Sequence, residues 1–197
     1  MHLRQIKPEI RILGIDDAPL VSKKILVIGT VFRGGLWLDG VLRTEVEKDG
    51  LDATEKIIEM TRSSRHYGQV RILMLNGVTI AGFNVVDIQK VCKETKLPVI
   101  VVMRQMPDFN AIEKALQNLS KPKTRLRMIK KAGEIREVKT QKRGLPVYIQ
   151  SMGMDLEKAE EVVRLASTHS RVPEPLRVAH LIASAMVYGE SAGRSRA

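Results

Sequence analysis

The segment Leu13-Gly14-Ile15-Asp16-Asp17-Ala18-Pro19 decides the fold of this chain. It completes an apolar run from Ile10 to Ile15, which predicts a buried strand that delivers a carboxylate to one end of a sheet. A buried carboxylate costs free energy unless it is paired, hydrogen-bonded or bound to a cation. In one interpretation, Asp16 is a ligand of a catalytic Mg²⁺, because hard oxygen ligands suit that ion. In the other, the segment is a turn, because Asp-Asp-Ala-Pro is a favourable turn sequence.

The composition is that of a globular chain of 197 residues with an aliphatic core. Hydrophobic residues make up 44% of the chain and aromatic residues only 4%, so stacking of bases on an aromatic platform is excluded as the main mode of nucleic-acid binding. The single cysteine, Cys92, excludes an internal disulfide and is typical of a reducing compartment. No apolar run approaches the roughly 18 residues of a membrane helix, and the N-terminus has no apolar signal core, so we expect a cytoplasmic protein without membrane contact.

The positive charge of the chain is concentrated in one segment. The net charge is +11, and +8 of it falls between Lys121 and Arg143, where ten Lys or Arg residues accompany two Glu residues. Such a density predicts a contact surface for a polyanion such as DNA or RNA. The alternative is a solvated helix face and loop. The candidate nucleic-acid-binding residues of the segment are Lys121, Lys123, Arg125, Arg127, Lys130, Lys131, Lys139, Lys142 and Arg143.

The order of the predicted elements indicates an α/β fold. Three strand-like runs come first: Ile10–Ile15, Ile25–Phe32 and Leu36–Val46. The tripeptide Arg33-Gly34-Gly35 either turns a hairpin between the last two runs or lets the backbone approach a phosphate, with Arg33 as a further nucleic-acid contact. Helices and strands then alternate, which predicts a ribonuclease-H-like mixed β-sheet, antiparallel in its first three strands and then parallel, flanked by helices. We expect one domain over residues 1–190 and a polar C-terminal tail over residues 191–197.

Polar residues and prolines mark the later helices. We predict helix starts at Asn84, Asp108, Asp155 and Pro173. The basic segment is predicted to form a helix around Leu126–Lys131 and then a short strand near Ile135–Val138.

Further candidate site residues fall at the ends of other predicted elements. Asp52 lies between the third strand and the first helix, and the fourth strand ends at Asn76. A two-metal phosphodiesterase needs carboxylates from different elements around metals about 3.5–4 Å apart, and Asp16 with Asp52 would supply two. The alternative for Asp52 is an N-cap of the first helix. His180, three residues after Arg177 on the last helix, either packs near the core or meets a substrate or metal.

Several motifs in a fixed order carry a resemblance to a known family. With the opening segment, they are Phe32-Arg33-Gly34-Gly35, Leu38-Asp39-Gly40-Val41, Asp49-Gly50-Leu51-Asp52-Ala53-Thr54, Leu75-Asn76-Gly77-Val78-Thr79, Ala81-Gly82-Phe83-Asn84, Pro98-Val99-Ile100-Val101 and Pro173-Glu174-Pro175-Leu176-Arg177-Val178-Ala179-His180. On these motifs the chain resembles an archaeal family of unknown function related to endonuclease V, over nearly its whole length. The resemblance to endonuclease V itself is more distant.

The resemblance implies a ribonuclease-H-like enzyme that depends on Mg²⁺ or Mn²⁺, because endonuclease V is a Mg²⁺-dependent enzyme that cuts DNA or RNA near deaminated bases such as inosine. Asp16 matches the first catalytic Asp of that enzyme, Asp52 its second acid, and Asn76 the position of its third. Arg104 matches a basic residue after the next strand, and Arg177 lies in a run similar to its last helix. The implied sets are Asp16, Asp52 and Arg104 for catalysis, and Asp16, Asp17, Asp52 and Asn76 for the metal.

Departures from endonuclease V change what the resemblance implies. Asn76 carries no charge and would bind a metal only through its carbonyl oxygen. The stretch Val78-Thr79-Ile80-Ala81 replaces an expected His-Pro-Arg, and no Pro-Tyr-Ile-Pro wedge is present, so inosine specificity is not implied. Three functions stay open: a Mg²⁺-dependent endonuclease or phosphodiesterase acting on nucleic acid, a non-catalytic nucleic-acid-binding protein on the same fold, and an enzyme acting on a smaller phosphorylated substrate.

Overall fold

A seven-stranded mixed sheet organises the chain in the computed structural model, which describes residues 5–141 and 144–191. The strands are β1 (Arg11–Asp17), β2 (Lys24–Arg33), β3 (Trp37–Glu47), β4 (Ile72–Asn76), β5 (Thr79–Ile80), β6 (Asn84–Val85), β7 (Val99–Met103), β8 (Arg136–Val138) and β9 (Val147–Met152). The helices are α1 (Ala53–Ser63), α2 (Ile88–Thr95), α3 (Phe109–Leu116), α4 (Pro122–Lys130), α5 (Leu156–Ala166) and α6 (Glu174–Tyr188). Lys142 and Arg143 of the predicted basic surface, and residues 192–197 of the predicted tail, lie outside the described residues.

The sheet has the order β3-β2-β1-β4-β7-β9-β8. Strands β1, β2 and β3 pair antiparallel, and β4 and β7 continue from β1 as parallel strands. This is the predicted ribonuclease-H-like arrangement. The prediction of parallel strands beyond the first three holds only for β4 and β7, since β9 runs antiparallel to β7 and β8 antiparallel to β9. The connection between β8 and β9 is too short for the crossover that parallel neighbours require.

The predicted helix start at Asn84 is wrong. Asn84 begins β6, which pairs with β5, and α2 starts only after Asp87, whose side chain accepts a hydrogen bond from the backbone N–H of Lys90. The amide of Asn84 serves a different helix, because its Oδ1 accepts a 3.0 Å hydrogen bond from the backbone N–H of Ala53 at the start of α1. The apolar residues that follow Asn84 fit a short strand and a helical turn equally well.

The basic segment forms the predicted helix and short strand, with an earlier helix start. Helix α4 begins at Pro122 rather than near Leu126, because proline fits the first turn of a helix. In the residues that the structure describes, every helix is too short or too polar to span a bilayer.

Side chains of β1 alternate between two cores on the two faces of the sheet. Ile12 belongs to the core that includes α5, whereas Leu13 and Ile15 belong to the core that includes α1 and α2. By the same alternation, Asp16 lies on the face of Ile12 and Asp17 on the opposite face. The two adjacent carboxylates therefore point to opposite sides of the sheet.

Helix α6 lies directly on β1 because β1 has no side chain at Gly14. A Cβ built at Gly14 would lie 2.4 Å from Cβ of Pro175 and 2.6 Å from its backbone carbonyl carbon. Thr30 of β2 holds the same point of the helix, because its hydroxyl donates a 2.6 Å hydrogen bond to the carbonyl oxygen of Pro175. This close packing sets the distance between α6 and the end of β1, where Asp16 lies.

The substitution Gly14→Ala should lower the free energy of unfolding by about 1–3 kcal/mol, because the added methyl group overpacks the contact with Pro175. Urea unfolding followed by circular dichroism measures the change. Gly68→Ala is the matched control, since a Cβ there meets nothing within 4 Å, and its stability should stay within about 0.5 kcal/mol of the wild type. Equal losses in the two variants would contradict the packing argument.

Candidate active site

The ends of three parallel strands bring Asp16, Asn76 and Arg104 to one edge of the sheet. Asp16 lies near the end of β1, Asn76 ends β4, and Arg104 follows the last residue of β7. The Nδ2 of Asn76 donates a 2.9 Å hydrogen bond to Oδ1 of Asp16. Three residues predicted from the sequence thus share this edge, and two of them are in direct contact.

Helix α6 adds His180 to the same edge. Its Nδ1 lies 3.0 Å from Oδ2 of Asp16, and the backbone N–H of Asp17 donates a 3.0 Å hydrogen bond to Oδ1. Asp16 is only 2% exposed. Partners therefore reach both oxygens of the buried carboxylate, as a buried polar group requires. His180 thus contacts the predicted site residue Asp16, a partner that neither interpretation of its sequence position names.

Charges at this edge displace two pKa values upward. The hydrogen bond with Asp16 raises the pKa of His180 above its usual 6.5, although burial opposes the change. Burial, and then the charge of Asp16, raise the pKa of Asp17 to about 7. The backbone N–H of Ala81 donates a 2.8 Å hydrogen bond to Oδ2 of Asp17, which limits that rise. Asp17 therefore keeps its proton to a higher pH than an exposed aspartate does.

Arg104 has a hydrogen-bond donor that the described residues leave unused. Its Nε is buried, and no partner for it is present in residues 5–141 and 144–191. Burial lowers the pKa of Arg104, whereas the negative charge of Asp16 opposes the lowering. Because a buried N–H without a partner is costly, the guanidinium is suited to a ligand that binds beside Asp16.

The structure does not bring Asp52 to Asp16. The carboxylate of Asp52 accepts hydrogen bonds from the backbone N–H of Glu47 (3.2 Å) and from Nδ2 of Asn84 (2.6 Å). It does not cap α1 either, because it makes no side-chain capping bond. Glu47 ends β3, and β2 separates β3 from β1. The strand end that binds Asp52 is therefore two strand spacings, of about 4.8 Å each, from the strand that carries Asp16. That separation exceeds what a shared pair of metals allows.

The donors at the edge suit one hard cation. On the face of the sheet that carries Asp16, this residue supplies a carboxylate and Asn76 an amide oxygen, and Mg²⁺ favours such oxygen ligands. The predicted metal ligand Asp17 points to the opposite face, where its carboxylate accepts from the backbone N–H of Ala81. As they stand, no three His, Cys, Asp or Glu side chains of the described residues are grouped closely enough to hold a metal. Asn76 presents its NH₂ group to Asp16, so cation binding requires its amide to turn.

The structure corrects the prediction for Arg125, which is not a surface contact for nucleic acid. The side chain is 1% exposed, and its guanidinium donates to the carbonyl oxygens of Gly50, Asp49 (2.7 Å each) and Phe83. Its Nε donates to the carbonyl oxygen of Ser120. Buried carbonyl groups need such donors, so Arg125 holds together the connection between β3 and α1 and the turn between β5 and β6.

Of the other described basic residues predicted to bind nucleic acid, two are held in ion pairs with acidic residues and the rest are exposed. Arg33 pairs with Arg11 in the β1–β2 ladder, five positions from Asp16 and so about 16 Å away, and it is bound to Asp39 at 3.0 Å. Arg177 is bound to the buried Glu174 at 2.6 Å. The exposed residues of the basic segment are Lys121, Lys123, Arg127, Lys130, Lys131 and Lys139.

Two residues at this edge have weak or no signals in the sequence. His180 shares a helix face with Arg177, but nothing local shows that the helix crosses β1. Arg171 lies in the loop before α6, and its positive charge lowers the pKa of Arg104. No motif in the sequence singles out Arg171. For the buried Arg125 the signal was its spacing to Ile129, four residues later and also buried.

Comparison with known proteins identifies relatives over almost the whole chain. The family model described as endonuclease dU matches residues 8–187. A protein of Methanosarcina acetivorans named UPF0215 protein is 58% identical over 190 residues, which are 96% of this chain and 97% of that protein. A crystal structure of a protein of unknown function from Archaeoglobus fulgidus has a TM-score of 0.84 and 42% identity, and it covers 91% of this chain and 99% of that one.

Endonuclease V shares the fold at much lower identity. The crystal structure of Ciona intestinalis endonuclease V in complex with a 24mer DNA containing an inosine followed by a ribo-adenosine has a TM-score of 0.59 and 13% identity, over 86% of this chain and 82% of that chain. This likeness confirms the predicted fold. It also confirms the predicted structural relationship to endonuclease V.

The different roles of Arg125 and Arg127 on α4 can be separated experimentally. Arg125→Met should lower the free energy of unfolding by about 2–4 kcal/mol, because several buried carbonyl groups lose their donor. The exposed Arg127→Met should leave stability within about 0.5 kcal/mol of the wild type. Thermal and urea unfolding of both variants test this, and a stable Arg125→Met protein would contradict the structural role.

The raised pKa of Asp17 predicts how stability depends on pH. Between the ordinary value of 3.8 and about 7, folded Asp17 keeps a proton that the unfolded chain has released, so stability falls as the pH rises through this window. Asp17→Asn should therefore be more stable than the wild type at about pH 8, by on the order of 1–3 kcal/mol, and should lose this advantage near pH 4.

Urea unfolding in chelator-treated buffer across this pH range measures the effect. The control is Asp155→Asn, because Asp155 is exposed and makes no capping bond. A constant difference for Asp17→Asn would show that its pKa is not raised.

Proposed function

Because this chain belongs to the endonuclease dU family, we propose that it is a divalent-cation-dependent endonuclease that cuts nucleic acid beside Asp16. The observation that carries the proposal is the buried Asp16 carboxylate, which lies between Asn76 and His180. Arg104, with its unused N–H, faces the same edge. The edge thus combines anionic ligands for a cation with a cationic donor for a phosphate, which is the combination that phosphodiester cleavage needs.

Each side chain at the edge has a distinct role in this proposal. Asp16 would hold Mg²⁺ or Mn²⁺, with the amide oxygen of Asn76 as a neighbouring donor. When bound, the cation supplies a water with a lowered pKa and stabilises charge on the phosphate. His180 keeps Asp16 oriented, and Arg104 donates to the phosphate. Asp52 has no part, since its carboxylate is bound within the connection before α1.

A cavity of about 190 Å³ borders this edge of the sheet. Its lining includes Gly77, the neighbour of Asn76, and Met103, the neighbour of Arg104. The volume lies below the roughly 300–1,000 Å³ of pockets for drug-sized ligands and suits a single base turned out of the stack. Met103 faces the side of the sheet opposite to Arg104, so in this proposal the nucleic acid crosses the strand ends, with its backbone at Asp16 and one base in the cavity.

The chemistry of the cavity lining suits a base that carries a ring N–H, such as uracil. Phe83 and Phe109 supply apolar and stacking surface, and Gln150 is a buried amide in the same lining. Because the Nε2 of Gln150 donates a 2.8 Å hydrogen bond to the carbonyl oxygen of Gly133, its Oε1 is the group left to accept from a base. Uracil offers an N–H at ring position 3, whereas neutral cytosine does not. This agrees with dU in the description of the family.

The exposed cations of α4 lie next to the cavity. Ile129 of α4 lines it, and Lys123, Arg127 and Lys130 of the same helix are exposed. In this proposal they contact the phosphate backbone, so affinity falls steeply as salt is added.

A non-catalytic nucleic-acid-binding protein is the second candidate function. Asn76 favours it, because this position carries no charge and its NH₂ group already serves Asp16. With only one carboxylate facing α6, cation affinity depends on few charged ligands. Such a protein would bind oligonucleotides without cutting them.

Two measurements on the wild type and on Asp16→Asn test the proposed function. In calorimetry with Mg²⁺ or Mn²⁺, the wild type should bind the cation, and Asp16→Asn should lose that binding because it removes the central carboxylate. With labelled oligonucleotides that contain a single deoxyuridine, inosine or cytosine, the wild type should cut the deoxyuridine strand in the presence of the cation. Asp16→Asn should cut at least about 100-fold more slowly and still bind.

Asp155→Asn is the matched control, since it removes an exposed aspartate far from the edge, and it should behave as the wild type. Cleavage that persists in chelator, or in Asp16→Asn, would contradict the proposed site. Tight binding with no cleavage of any strand under any cation would establish the second candidate instead.

A further inference from the structure

Arg171, in the loop between α5 and α6, is fixed against the connection between β8 and β9. The carbonyl oxygen of Arg171 accepts a 2.9 Å hydrogen bond from the hydroxyl of Thr140, and its Nη1 donates a 3.2 Å hydrogen bond to the carbonyl oxygen of Pro146. Thr140 follows β8, and Pro146 precedes β9. Both ends of the connection are therefore tied to Arg171.

The register of the sheet places this arginine beside Arg104. Met103 of β7 pairs with Tyr148 of the antiparallel β9, so one further step sets Arg104 opposite Val147, the residue after Pro146. The carbonyl oxygen of Pro146 is the group that binds the guanidinium of Arg171. The two guanidinium groups thus lie at the same edge as Asp16. In agreement, burial lowers the pKa of Arg104, and the positive charge of Arg171 lowers it further.

In the described residues, these two positive charges face no paired carboxylate, and only Asp16 acts on Arg104 from a greater distance. Across residues 5–141 and 144–191, neither Arg104 nor Arg171 forms a salt bridge with a carboxylate. The buried Nε of Arg104 has no hydrogen-bond partner among them. Adjacent cations with a buried, unused donor are costly unless an anion joins them.

We infer that Arg104 and Arg171 together bind one backbone phosphate of the nucleic acid next to the cleavage point. The inference rests on the proposed function and adds Arg171 to it. Guanidinium groups hold phosphate through paired N–H donors, and the exposed Lys139 continues the positive surface from the end of β8. Arg171 is also bound to Thr140 and Pro146, so these two contacts fix its position.

The test is the salt dependence of oligonucleotide binding, measured by fluorescence anisotropy with a labelled deoxyuridine-containing strand. Arg171→Ala should weaken binding about 5- to 10-fold and reduce the slope of log K against log salt by about 1, because one phosphate contact is lost. Arg171→Lys should keep the slope, since the charge stays, and lose part of the affinity, since the forked contact is gone.

Arg164→Ala is the matched control, because it removes the same charge from the exposed face of α5, where Arg164 is bound to Glu160. It should bind as the wild type does. Thermal unfolding of each variant checks that the fold is kept. Should Arg171→Ala prove unstable, the comparison of Arg171→Lys with the wild type carries the test.

The possible outcomes separate this inference from the proposed function. A wild type that binds and cuts, with an Arg171→Ala variant of unchanged affinity and slope, would overturn the inference alone. A wild type that does not bind oligonucleotides would overturn both. Inorganic phosphate, followed by ³¹P line broadening, is the second probe. If Arg171→Ala abolished phosphate binding but left oligonucleotide affinity unchanged, the pair would be a site for a free anion, and the inference would be wrong.

Discussion

The site depends on the contact between Gly14 and Pro175, where a helix meets a strand with no side chain between them. Strand β1 supplies Asp16, and α6, near the other end of the chain, supplies His180. A methyl group at Gly14 would push α6 outward, and the 3.0 Å approach of the imidazole to the carboxylate would be lost. Glycine weakens a strand by itself. The buried residues Ile12, Leu13 and Ile15 offset that cost within β1.

A polar network separate from the candidate site joins the connection between β3 and α1 to the β5–β6 turn. It accounts for several charged residues that the sequence alone would assign to a functional site. Arg125 is buried and binds carbonyl groups from two separate turns. Asp49 accepts a 2.8 Å hydrogen bond from the backbone N–H of Phe83, and Asp52 accepts one from the amide of Asn84. These groups satisfy one another in a region where open turns would leave buried polar atoms without partners. The network fixes the β5–β6 turn, and Phe83 of that turn lines the cavity beside Asn76.

The parts of the fold that could be predicted are those with a local cause. Strand β1 was predicted because its apolar run is buried, and the importance of Asp16 followed from the strand that ends beside it. Asp52 was assigned to the same site because sequence spacing does not show that β2 lies between the two residues. Arg125 was counted with its exposed neighbours because charge density hides which member of a helix turn faces inward. The proximity of His180 and Arg171 to the site arises only from tertiary packing, which no local pattern reports.

The neutral Asn76 determines how charge must be balanced in the proposed enzyme. A second metal beside Asp16 would need a further carboxylate on that face, but Asp17 points to the opposite face of the sheet and Asp52 is bound elsewhere. The positive charge that a second metal would bring to the phosphate is present instead as the guanidinium groups of Arg104 and Arg171. A guanidinium cannot lower the pKa of a bound water as a metal does, but it can stabilise charge on an oxygen that is leaving. This effect is larger for a group withdrawn from solvent, and the burial of the Arg104 Nε meets that condition. In the proposed enzyme, one cation for the water and two arginines for the phosphate would take the place of the second acid that Asn76 does not supply.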